Sequence, residues 1–131
     1  MKNLAILIFF LIPVADAAEF KPYPDSKITV KEWNTYIEQI ESEYGDSARQ
    51  DELGEFTFFY DDERITMYQF TTQKHPAHPC WIASEIEMGE NTMKVNQVGY
   101  FAGSKMEYEK LYNEIREIHD HGERNVNGVR Q

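Results

Sequence analysis

From Glu55 to Phe101 the chain has a β-branched and aromatic texture that is interrupted at only three places. These are Asp61-Asp62-Glu63, then Lys74-His75-Pro76-Ala77-His78-Pro79, then Gly89-Glu90-Asn91. Connections this short allow hairpins but not a parallel crossover, which needs a dozen or more residues. Four strands are expected, at about 55–60, 64–72, 80–88 and 92–101. In the first, Phe56, Phe58 and Tyr60 alternate with Thr57 and Phe59; Gly99 marks a bulge in the last. Two prolines exclude helix and central strand from the 74–79 connection.

A helix start flanks this block on each side. Thr29-Val30-Lys31-Glu32 and Ser104-Lys105-Met106-Glu107 both fit the capping box, in which hydroxyl and carboxylate satisfy the first orphan amides. Val30, Trp33, Ile37, Ile40 and Tyr44 then recur at spacings of three and four, which predicts a helix over 30–44 closed by a left-handed Gly45. Tyr108, Leu111, Tyr112, Ile115 and Ile118 predict a second over 105–119. Residues 46–54, polar and acidic, read as loop. The expected fold is α+β: helix, four-stranded antiparallel meander, helix. Both helices are placed on one sheet face, which buries their apolar stripes together.

The first residues carry an address rather than a fold. Lys2 precedes an apolar run from Leu4 to Val14, and Ala15-Asp16-Ala17 fits a small-x-small cleavage site. The run is too short to span a bilayer, which takes about 20 apolar residues. Residues 1–17 are therefore expected to be a signal peptide, 18–28 an extended lead-in, 29–121 a single α+β domain and 122–131 a flexible tail. The expected destination is the periplasm or the medium, and no later stretch reads as transmembrane.

Charge and cysteine content narrow the function. Lys and Arg number 13 against 23 Asp and Glu, a net charge of −10. Such a field repels nucleic acid and anionic membranes and steers cations. The single cysteine, Cys80, excludes an internal disulfide and any CxxC motif. No nucleophile elbow, phosphate loop or dinucleotide fingerprint occurs, so an enzyme, an uncharacterised hydrolase at most, is the weakest reading.

Phe70-Thr71, followed by His75-Pro76-Ala77-His78-Pro79, resembles a hairpin pattern of small exported bacterial proteins of unknown function. The resemblance covers about ten residues and implies no activity.

Two site readings follow from the residues. His75 and His78, in an H-x-x-H arrangement with Cys80 two residues on, offer imidazole and thiolate ligands for zinc or copper. His119 and His121 form a second pair at the expected end of the last helix, where a cation meets the dipole. The other reading starts from the aromatics. With both helices on one sheet face, the opposite face keeps large rings open to water, and such a patch marks an interaction surface. Phe59, Tyr68, His75, His78 and Trp81 are its expected contact residues. The leading expectation is a small exported non-catalytic domain that binds a neutral or basic protein, in the manner of an inhibitor or immunity protein. A periplasmic metal-binding protein is the alternative.

Overall fold

The structure, a computed structural model, describes residues 25–130. The expected signal peptide and the lead-in up to residue 24 lie outside the described residues. Helix α1 spans Val30–Tyr44 and opens on the capping box: Glu32 N–H donates to Thr29 Oγ1 at 3.0 Å and Thr29 N–H to Glu32 Oε1 at 2.9 Å. Gly45 is right-handed (φ −56°) rather than left-handed, and starts a 3-10 turn, Gly45–Ser47.

The sheet has five antiparallel strands, not four, in the order β1 to β5. They are Arg49–Gln50, Phe56–Asp61, Thr66–Thr71, Cys80–Met88 and Met93–Phe101. The added strand, β1, lies in the segment expected as loop; two residues are too few to show a period. Its pairing, Arg49 with Phe58 and Gln50 with Thr57, covers the middle of the β2 edge. Gly99 is no bulge, because it pairs in regular register with Ile82. A Cβ there would stand 2.5 Å from the Tyr108 hydroxyl, which is why the position is glycine.

Helix α2 spans Lys105–Arg130, so the chain expected as a flexible tail after 121 is helical to Arg130. Side chains late in α2 reach the outer edge of β5. Asn127 Oδ1 accepts from Met93 N–H at 2.9 Å while its Nδ2 donates to Met93 C=O at 3.3 Å. Glu123 accepts from Val95 N–H, Arg116 donates to Val95 C=O, and the Tyr112 hydroxyl donates to Gln97 C=O. These bonds replace a neighbouring strand and hold the helix along the edge.

Alternation along the strands corrects the expected placement of the helices. Trp81 and Ala83 of β4 share a face with Phe70 and Tyr68 of β3 and Tyr100 of β5. That face packs with Phe59 against Trp33, Tyr36 and Ile40 of α1. Cys80 and Ile82, one residue out of phase, point the other way. They join Phe101 and the α2 residues Tyr108, Leu111 and Ile115. A strand sends successive side chains to opposite faces, so the two helices lie on opposite sides of the sheet. Trp81 is the hub of the first core, with ring centroids 4.7 Å from Tyr36, 5.3 Å from Phe70 and 5.2 Å from Tyr100.

No helix among the described residues is long and apolar enough to cross a membrane. Asn127→Ala should lower the unfolding free energy by about 1 kcal/mol, the usual worth of a backbone group's hydrogen bond. Urea denaturation checks this; a frayed tail would give no change.

Candidate functional site

Because α2 follows the β5 edge, the β2–β3 half of its sheet face has no helix over it. Phe56, Phe58 and Tyr60 of β2 and Met67 of β3 share this half-face by register, and none of them is fully buried. Ile65, at the end of the β2–β3 turn, is 48% exposed beside them. The Phe56 ring stands 6.0 Å from Phe58 and 4.8 Å from His75, so a strip of ring contacts runs from the middle of β2 to the proline loop, where Phe56 also packs against the α2-side core.

Between this strip and α2 opens a cavity of about 300 Å³. Its walls are Tyr60, Ile65, Met67, Ile86 and Val95, with Asp62 at the turn end and Ser84 and His119 among the polar groups. The Ser84 hydroxyl is buried and has no hydrogen-bond partner. A buried unpaired hydroxyl costs about 1–3 kcal/mol. His119 is mid-helix, not at a helix end, since α2 continues beyond it.

The tautomer of His119 follows from its neighbours. Gln97 Nε2 donates to Tyr112 C=O at 3.0 Å, which turns Gln97 Oε1 toward His119 Nδ1 at 2.8 Å. An amide oxygen only accepts, so Nδ1 carries the proton, and in the neutral ring Nε2 keeps a lone pair. Burial, and then the nearby Arg116 guanidinium, lower the basicity of His119 and favour that neutral ring.

The turn at the mouth of the cavity is strained. Ile65 has φ 50°, in the left-handed region that a β-branched residue rarely adopts. Asp61 holds it there: one carboxylate oxygen accepts from Glu63 and Arg64 N–H, the other from the Tyr44 hydroxyl. Asp61-Asp62-Glu63 is thus a turn anchor with two solvated acids beside it.

The residues singled out from sequence are dispersed. Phe59, Tyr68 and Trp81 are buried under α1 and cannot be contact residues. Their side of the strands became core because α1 covers it. Burial also raises the Tyr68 hydroxyl to about 12. His75 leans on Phe56 of β2, and its Nδ1 accepts from Ala77 N–H. His78 instead packs edge-on against Trp33 of α1, with Nδ1 2.9 Å from Thr71 Oγ1. Cys80 is fully buried, and burial pushes its thiol up to about 12. Among the described residues no group of three or more His, Cys, Asp or Glu is placed to hold a metal ion. The His75–His78–Cys80 ligand set is therefore not assembled. The His78–Pro79 peptide is cis.

The sequence singles out neither Ser84 nor Ile65, and it places His119 at a helix end rather than in a cavity wall. The available signal is the register of Phe56, Phe58 and Tyr60, which alternates with that of Thr57 and Phe59. No protein-family model, curated protein or solved structure matches the chain.

Two outcomes follow. Ile65→Asn, which tolerates the left-handed region, should stabilise the fold by about 1 kcal/mol in urea denaturation, because a non-glycine residue is strained there by about 1–2 kcal/mol. His78 and His119 both have their basicity lowered, chiefly by burial, below the ordinary 6.5. The unfolded chain then binds more protons below about pH 6.5, so stability falls as pH drops from 7.5 through 6.5 toward 5. His119→Gln should flatten that slope in denaturation midpoints measured across this range.

Proposed function

We propose that this protein is a small, exported, non-catalytic domain that binds a basic protein through the uncovered β2–β3 half of the α2-side sheet face. The observation that carries the reading is the strip Phe56, Phe58, Tyr60 and Met67, which leads into an apolar cavity and ends at the acidic turn. Large, partly buried rings that share one strand face are the material of interaction surfaces. The net charge of −10 adds long-range attraction for a cationic partner. The N-terminal Ala15-Asp16-Ala17 pattern supports export, with the periplasm as the proposed location. An inhibitor or immunity-type role suits a domain of this size and charge.

The test uses the immobilised protein and the exported fraction of its source cell. A retained basic protein, purified and titrated back, should form a saturable complex that is insensitive to chelator. Its affinity should fall at least tenfold between about 50 and 500 mM salt, because exposed charges are screened beyond about 10 Å at 0.1 M. Phe58→Glu with Tyr60→Glu should weaken it by a similar factor. No saturable partner, or an affinity that neither salt nor these substitutions move, would overturn the reading.

A further inference from the structure

We propose that the cavity between the β2–β3 strip and α2 is an anchor site for a lysine side chain of the basic partner. This rests on the binding reading above and specifies what the surface grips.

The walls and the polar groups of the cavity ask for different things. Ile65, Met67, Ile86 and Val95 supply aliphatic surface, which suits a methylene stem. The polar atoms, in contrast, all accept hydrogen bonds. The Ser84 hydroxyl is buried and unpartnered, and can accept as well as donate. His119 is held with its proton on Nδ1 against Gln97, so the remaining ring nitrogen offers a lone pair. Asp62 adds a carboxylate at the turn end. No lysine or arginine is among the described residues that line the cavity. The nearby cation on α2, Arg116, is engaged with Val95 C=O, Asp120 and Glu123.

An occupant that fits is an apolar chain ending in a compact cationic donor. Lysine matches better than arginine. The ammonium is a point charge with three rotatable donors, whereas the guanidinium fork is made for a planar carboxylate or phosphate. Here the acceptors are a hydroxyl, a ring nitrogen and a carboxylate already displaced to the rim. An anionic anchor could accept from the Ser84 hydroxyl but would meet the His119 lone pair and the Asp62 carboxylate, and a purely apolar anchor would leave Ser84 and His119 as unmatched as they are in the free protein.

The ¹⁵N-labelled protein can be titrated with Nα-acetyl-lysine methylamide and, separately, with its norleucine counterpart, which has the stem but no ammonium. The lysine derivative should shift the amides of Ser84, Ile86 and Val95 and saturate in the millimolar range, with norleucine at least threefold weaker. Ser84→Ala, which removes an unpaired hydroxyl and should fold at least as stably as the parent, should bring lysine to within twofold of norleucine. Equal affinity for the two derivatives would overturn the lysine anchor. So would lysine shifts scattered over the acidic surface without saturation. The surface reading stands apart from this result, because it is removed by the absence of a saturable partner or by a partner affinity indifferent to salt and to the Phe58→Glu and Tyr60→Glu pair.

Discussion

An open sheet must dispose of the backbone groups along its two outer strands, and this protein does so with side chains more than with further strands. On the β2 side, the two residues of β1 pair with Thr57 and Phe58, and the flanking amides are met individually. Phe56 N–H donates to the Asp51 carboxylate and Tyr60 N–H to the Ser47 hydroxyl. On the β5 side, Met93, Val95 and Gln97 are satisfied from α2 by Asn127, Glu123, Arg116 and Tyr112. Phe101 is then taken by the incoming chain, donating to Ser26 C=O and accepting from Ile28 N–H. A row of unpaired edge groups would invite another chain to add as a strand. Here the edges carry little free pairing capacity, so recognition falls to a face.

The position of α2 follows from the same requirement. A helix lying centrally over the second sheet face would bury more of Phe58, Tyr60 and Met67, but its polar side chains could not reach the β5 edge. Held along that edge instead, α2 covers Cys80, Ile82 and Phe101 and leaves the β2–β3 half to solvent. α1 has no such duty. It sits over the aromatic face and buries Phe59, Tyr68, Phe70 and Trp81. The unequal exposure of the two faces, and with it the cavity, is a consequence of how one edge is closed.

What was legible in the sequence was local. The Thr29–Glu32 capping box and the three-four spacing after it place α1 at Val30–Tyr44, and the turn signals place the meander. The extension of α2 was hidden because Gly122, Asn125 and Gly128 are poor helix formers and read as a tail. The bonds that hold this stretch in a helix, such as Asn127 to Met93, span 34 residues. The sidedness of the helices had one available clue. Cys80-Trp81-Ile82-Ala83 is continuously apolar, as in strands covered on both faces, whereas a sheet with one wet face alternates. The candidate cavity was beyond reach, since Ser84 and His119 meet only when α2 is laid along β5.

Three local costs converge on that cavity. Ser84 is buried with no partner, Ile65 holds a left-handed backbone, and His119 is kept in a setting that disfavours its charge. Each has an ordinary remedy one substitution away: alanine at 84, asparagine or glycine at 65, glutamine at 119. They do not share a structural cause. The first is a β4 side chain, the second a turn dihedral anchored by Asp61, and the third a helix residue fixed through Gln97 and Tyr112. Elsewhere most edge amides are met individually, although the Trp33 indole N–H in the α1 core is also buried without a hydrogen-bond partner. Unrelieved costs that gather from three separate elements onto one apolar opening are what a surface shaped for a partner would contain, because strain and unsatisfied groups concentrate where binding completes them. The same physics that closes the β5 edge leaves this place open, and the residues around it are those a pure stability requirement would have replaced.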